Sequence, residues 1–145
     1  MLVVDTTVLV YSADEDSPFH AACRGWLEHQ RVRADAWYTT WSILYEFLRV
    51  TTHTRVMRRP WSATESWQFV EALIVSPGLG ILTPTQRHAE VAGRVITEIP
   101  HVSGNLFHDM HTAILMREHG IRRICTRDTD FHRFPFLEVI DPLQT

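Results

Sequence analysis

Short apolar runs alternate with longer stretches of helical periodicity along this chain. Leu2 to Val4 is an apolar run that ends at Asp5, the pattern of a buried parallel strand. Thr6 to Ser12 can then turn into a short helix. Ser17-Pro18 places residues favoured at the N-cap and first helical position, and Phe19, Ala22, Cys23, Trp26 and Leu27 then share one helical face. Trp37 to Thr40 reads as a second strand, followed from Trp41 to about Thr52 by a third helix carrying Ile43, Leu44, Phe47 and Leu48. Ser62-Ala63-Thr64-Glu65 is a capping box for a helix with Trp67, Val70, Leu73 and Ile74, closed by Pro77-Gly78.

Gly80 to Thr83 is a weak strand, and a helix from about Thr85 turns His88, Val91, Ala92, Val95, Ile96 and Ile99 inward. Asn105 is placed to cap a helix through Leu106, Met110, Ala113 and Ile114, which His119-Gly120 stops. Ile124 to Thr126 and Leu137 to Ile140 supply two more strands, the last ended by Asp141-Pro142. Strands alternating with helices predict a parallel α/β sandwich. In such sheets ligands sit at the carboxyl ends of the strands. Asp5 and Asp128 both lie just past a predicted strand, at that edge.

At 145 residues the chain fits one domain, residues 1–145, with 45% hydrophobic and 21% charged residues. No apolar stretch approaches the roughly 20 residues that span a bilayer, and Met1-Leu2-Val3-Val4-Asp5 has no basic region of a signal peptide. Cys23 and Cys125 read as small buried hydrophobes, so a reduced cytoplasmic protein is expected. A net charge of -3 argues against nucleic-acid binding by bulk electrostatics alone. All 14 basic residues are Arg, which codon bias explains more cheaply than function does.

The chemistry lies in the acids. Singly, each has an ordinary reading: Asp5 as an N-cap, Glu46 as a helical surface acid, Asp109 as a favourable charge in a first turn, Asp128 and Asp130 as loop caps. Jointly, two come from strand ends and two from helices that can pack beside those ends. Carboxylates brought together raise one another's pKa unless a cation compensates. Asp5, Glu46, Asp109 and Asp128, with Asp130 as a further donor, therefore make a candidate site for Mg²⁺ or Mn²⁺. An ion there could activate water against a phosphodiester. Other chemistries fit less well. No Gly-rich phosphate loop follows the first strand, no nucleophile elbow is present, and His108 and His111 lack a partner pattern for zinc.

Four segments, Val3 to Tyr11, Ser42 to Phe47, His108 to Ala113 and Thr126 to Phe131, resemble PIN domains in order and spacing, and among them VapC-type toxins. The resemblance covers nearly the whole chain. It implies a three-layer α/β/α sandwich with a short parallel sheet and a Mg²⁺- or Mn²⁺-dependent endoribonuclease acting on RNA. It also implies a cognate VapB-type antitoxin and a homodimer. Asp5, Glu46 and Asp109 match the family's central acids and Asp128 the more variable fourth, while Thr6 and Thr126 match hydroxyl positions that support them. Thr7 departs from the Asn common at that position, exchanging a donor–acceptor amide for one hydroxyl.

Arg49, in a cluster with Arg55, Arg58 and Arg59, and Arg127, beside Arg122, Arg123 and Arg133, are candidate contacts for RNA phosphates or an acidic antitoxin segment, with a solvated face the ordinary reading of each. Trp37, Trp41, Trp61 and Trp67 could stack bases, but core or dimer packing is the better reading of them. An aspartate-nucleophile phosphatase would want a second acid where Thr7 stands, and flap nucleases are generally longer. The alternative from another class is a PIN-like module that binds a partner or nucleic acid without cleaving it.

Overall fold

A computed structural model describes residues 1–33 and 35–144. Five strands and six helices follow in the order β1 (Leu2–Val4), α1 (Thr6–Ala13), α2 (His20–Val32), β2 (Trp37–Thr40), α3 (Trp41–Thr51), α4 (Ala63–Ile74), β3 (Leu79–Leu82), α5 (His88–Glu98), α6 (Leu106–Glu118), β4 (Arg123–Cys125) and β5 (Glu138–Ile140). The strands form one parallel sheet in the order β3-β2-β1-β4-β5. The protein is thus α/β.

Successive strand residues face opposite sides of a sheet. Leu2, Val3 and Val4 are all buried, as are Ile124 and Cys125, so both faces of the sheet centre are covered. That is the signature of helices on each side, in three layers. The chain moves from β1 to β2 on one side, and later to β4 on the other, so β1 and β4 flank a topological switch point. Their carboxyl ends open there into a crevice.

Local signals fix the helices. Thr40 caps α3 by accepting from the Ile43 amide at 3.1 Å. Ser62 and Glu65 form both bonds of the capping box at α4. At the end of α6, Gly120 takes φ +71° while Ile121 N bonds Met116 O and Gly120 N bonds Arg117 O, a Schellman closure. Gly78, at φ +78°, leads into β3, and a Cβ there would meet Asp35 O at 2.9 Å.

Several boundaries differ from expectation. Helix α2 begins at His20 rather than at Pro18, because the Ser17 hydroxyl accepts from Phe19 N in a separate turn. Asn105 holds the N-cap position of α6 but its side chain makes no capping bond. Helix α5 starts at His88, since Thr85 is held in a turn by Glu118, which accepts from both its amide and its hydroxyl. Strand β3 starts one residue earlier than expected, and β4 ends one earlier, at Cys125. A 3-10 turn over Thr129–Arg133 was not anticipated.

Candidate active site

The site starts from sheet register. Val3 pairs with Ile124 and Val4 with Cys125, and Asp5 N continues the ladder to Cys125 O at 3.0 Å. Asp5 therefore leaves β1 abreast of Thr126 leaving β4. The Thr126 hydroxyl donates to Asp5 Oδ2 at 2.7 Å and accepts from Asp128 N at 2.9 Å. Its oxygen lies 3.2 Å from that of Thr7, which in turn accepts from Arg127 N at 2.9 Å. Each hydroxyl has one proton. With the Thr126 proton given to Asp5, the Thr7 proton must go to Thr126. Thr7 thus acts as donor and acceptor together, the two functions an amide would supply.

Thr6 supports Asp5 through its backbone N–H rather than through its hydroxyl. Its hydroxyl donates to Ile43 O at 3.4 Å and so ties α1 to α3. Asp128 caps the 3-10 turn through Oδ1, which accepts from Asp130 N at 2.9 Å. Its capping and its place among the acids are compatible, because the second carboxylate oxygen stays available.

Asp109, Asp128 and Asp130 form the tightest group, with one carboxylate oxygen from each lying within 4.8 Å of the others. Asp5, 6% exposed, lines the same cleft as Asp109 and Asp128. Burial pushes the Asp5 carboxyl up to about 6, with Asp128 adding to the rise and the Thr126 bond opposing it. Burial also lifts Asp109 to about 7, reinforced by Asp128, Asp5, Asp130 and Glu46. A first-turn carboxylate is ordinarily favoured in its charged form by the helix dipole. Here burial and the other acids override that preference.

Glu46 faces the same cleft from α3 but is held by Arg49, whose Nε and Nη2 donate to its two oxygens at 2.9 and 2.6 Å. That bond, chiefly, keeps Glu46 below the usual carboxylate range. Arg127 turns the other way. Its guanidinium lies 4.2 Å over the Phe19 ring and 3.7 Å from Asp141, with the side chain 24% exposed. The expectation of an RNA contact fits that position poorly, since the charge is engaged beneath the loop.

The cleft encloses about 630 Å³. Sequence reading missed Ser42, Asn105, His108 and Thr112 in its wall. Spacing could have found three of them: Ser42 lies four residues before Glu46, and Asn105 and Thr112 lie four before and three after Asp109. An all-oxygen, acidic donor set suits a hard divalent cation and is poor for a soft one.

Fold and site define a parallel α/β protein with a carboxylate cluster at the carboxyl ends of its central strands. The chain belongs to the PIN domain family, whose profile matches residues 2–137. It is 35% identical over 143 residues to ribonuclease VapC43 of Mycobacterium tuberculosis, covering 99% of this chain and 96% of the relative. Among solved structures it resembles VapC20 of Mycobacterium tuberculosis, described as a sarcin-ricin loop cleaving toxin, with TM-score 0.65 and 16% identity over 91% of this chain and 93% of that one. It also resembles VapBC2 from Rickettsia felis bound to a promoter DNA fragment, with TM-score 0.67, 14% identity and 96% of each chain covered. At such identities these structures speak for the fold.

Proposed function

We propose that this protein is a metal-dependent endoribonuclease, the toxin of a VapBC-type module, acting through residues 1–145 as one domain. The observation that carries the reading is the meeting of Asp109, Asp128 and Asp130 at the cleft that the buried Asp5 also lines. Relatives named as ribonucleases, matched over nearly their whole length, support the reaction class. Mg²⁺ or Mn²⁺ is the fitting ion, because both take carboxylate and water oxygens. When bound, such an ion supplies a water of lowered pKa and neutralises charge developing on the phosphodiester.

The chain's own residues do the rest. Asp109, Asp128 and Asp130 supply the nearest donors. Asp5 adds a buried carboxylate oriented by Thr126, and Glu46 closes the ring from α3 once Arg49 releases it. Without a cation, Asp5 and Asp109 keep a proton closer to neutral pH than an ordinary carboxyl does, so a cation entering the site competes with protons for these groups. A VapB-type antitoxin and a second copy of the chain are the expected partners, and the cytoplasm the expected place; no helix among the described residues is long and apolar enough to cross a membrane.

The test is cleavage of a structured RNA by purified protein freed of antitoxin. Cutting should require Mg²⁺ or Mn²⁺, and Asp5→Ala or Asp109→Ala should abolish it while circular dichroism stays native. Undiminished cutting by both folded variants, or no cutting by the parent with any divalent metal, overturns the proposal.

A further inference from the structure

We infer that Thr112, one turn beyond Asp109 on α6, donates its hydroxyl proton to a phosphate oxygen of the bound RNA strand, with the Asn105 amide as a second neutral donor; the inference rests on the nuclease reading above. Thr112 is only 3% exposed, yet it lines the cleft. A threonine inside a helix commonly gives its hydroxyl proton to the carbonyl one turn back. Thr51 and Thr97 do so here, bonding Phe47 O at 2.9 Å and Gly93 O at 2.8 Å. The other buried serines and threonines each make a hydrogen bond as well. Among the described residues, the Thr112 hydroxyl makes none. Nor is it sealed in, since Arg127 Nε is the one enclosed side-chain polar atom there without a partner. The hydroxyl is therefore held for something that enters the cleft.

Helix geometry places this donor beside the acids. At 3.6 residues per turn, Asn105, Asp109 and Thr112 fall within about 60° of one another around the α6 axis. All three line the cleft. Along the axis Thr112 lies about 4.5 Å beyond Asp109, and Asn105 about 6 Å before it. The Asn105 side chain makes no capping bond, so its amide is also uncommitted. The backbone at this end is not. The amides of Leu106, Phe107 and His108 already donate to the carbonyls of Ser103, Gly104 and Asn105. An anion beside Asp109 must then be met by side chains.

Charge explains why the donor is neutral. Among the described residues, Arg49 is the one guanidinium that lines the cleft, and it is shared with Glu46. The other hydroxyls of the wall are engaged: Thr6 bonds Ile43 O, Thr7 lies against Thr126, and Ser42 against His111 Nδ1. An arginine at position 112 would pair with Asp109 one turn away and withdraw an acid from the metal. A hydroxyl can bond a phosphate oxygen and leave that acid free. The ionised acids only accept hydrogen bonds, so they cannot hold the phosphate themselves. Contacts of this kind fix the register of a strand without reading its sequence.

The test is binding without cleavage: fluorescence anisotropy of labelled single-stranded oligoadenylate and oligodeoxyadenylate, in EDTA and, in an Asp5→Ala background, with Mg²⁺. Thr112→Val keeps the shape and should weaken binding about 10- to 100-fold on both strands and in both conditions. Its salt dependence should match the parent's, because no charge that releases counterions is lost. Thr112→Ser should stay close to the parent, and Asn105→Ala should show a smaller loss. The unfolding midpoint of Thr112→Val in EDTA should not fall, since no internal hydrogen bond is removed. Parent-like affinity in Thr112→Val overturns the inference, as does a lowered midpoint, which would place the hydroxyl's partner inside the protein. A loss confined to oligoadenylate assigns the hydroxyl to the ribose 2′-OH, and a loss confined to Mg²⁺ assigns it to water on the ion; either overturns the phosphate contact. So does failure of the parent to bind either strand. The two readings fail separately. Hydroxyl-dependent binding by a protein that never cuts RNA sinks the nuclease and keeps the contact; cutting with parent-like binding by Thr112→Val does the reverse.

Discussion

The Thr126 hydroxyl donates to Asp5 Oδ2 at 2.7 Å across the β1–β4 seam, joining the two strand ends from which the site is built. The same oxygen accepts from Asp128 N, so one side chain orients a buried acid and the turn that carries two others. Thr126→Val keeps the shape and removes both functions. It leaves the Asp128 amide without this acceptor and Asp5 without its hydroxyl donor. A loss of about 1–3 kcal/mol is expected from the denaturant midpoint, together with a rise of the Asp5 pKa above its present value near 6. Thr126→Ser should restore both. An unchanged midpoint and acid limb in Thr126→Val would show that the hydroxyl positions nothing.

The acids also set an unusual pH dependence. Asp5 and Asp109 are raised to about 6 and about 7, so the folded state holds their protons more firmly than the unfolded chain. Their penalty is absent below about pH 4, grows as pH rises, and is complete once both are ionised above about pH 7. Asp16, Glu46, Glu98 and Glu118 are lowered and stabilise above their ordinary range, an effect lost only in stronger acid. His111, lowered by burial, opposes the trend as pH falls through its ordinary range. Comparison with Asp109→Asn isolates the cluster. In EDTA near pH 8 the variant should be more stable than the parent by on the order of 2 kcal/mol, a figure discounted for the partial exposure of Asp109. Mg²⁺ or Mn²⁺ should then stabilise the parent by mass action and the variant far less. A variant less stable than the parent in EDTA refutes this account of the repulsion.

How much of this was legible beforehand depended on the range of each signal. The Ser62–Glu65 capping box and the Gly120 stop are local and could be read directly. Apolar runs located five strands, but their lateral order arises from contacts between distant segments and left no periodic trace. The 3-10 turn at Thr129–Arg133 is too short for periodicity to reveal. Asp5 and Asp128 were legible as strand-end residues, and Asp109 through its place in a first helical turn. Glu46 is instructive in another way. Its i, i+3 spacing from Arg49 was visible, but which of pairing or cleft contact prevails is a rotamer choice. Asp130 joins Asp109 only because Asp128 caps the turn and brings it round.

Arg127 offers a prediction in which structure and activity separate. Its amide donates to Thr7, while its guanidinium stacks on Phe19 and stands near Asp141, with Nε buried and lacking a hydrogen-bond partner among the described residues. Arg127→Met keeps the amide and much of the stem volume. Loss of the cation–π contact should cost about 0.5–2 kcal/mol in thermal or denaturant unfolding. The metal concentration for half-maximal cutting should rise a few-fold as the loop bearing Asp128 loosens. Binding of oligoadenylate in EDTA should not change. A selective loss of RNA affinity with normal stability would instead make Arg127 a phosphate contact.

Arg49 and Glu46 make the last prediction, because their pairing competes with the site. Two of the five guanidinium N–H donors are spent on the carboxylate that otherwise completes the ring. Arg49→Gln removes the positive charge that lowers Glu46 and returns a free anion to the cleft. Without metal, added repulsion should raise the Asp109 pKa further and lower the unfolding midpoint near pH 8. With Mn²⁺, the same anion should tighten binding, seen as a lower half-saturating concentration in a thermal-shift titration. The two effects have opposite signs. A conventional surface ion pair, worth about 0–1 kcal/mol, would give a small loss in both conditions. Weaker Mn²⁺ binding in Arg49→Gln would mean that the guanidinium positions Glu46 for the ion rather than withholding it.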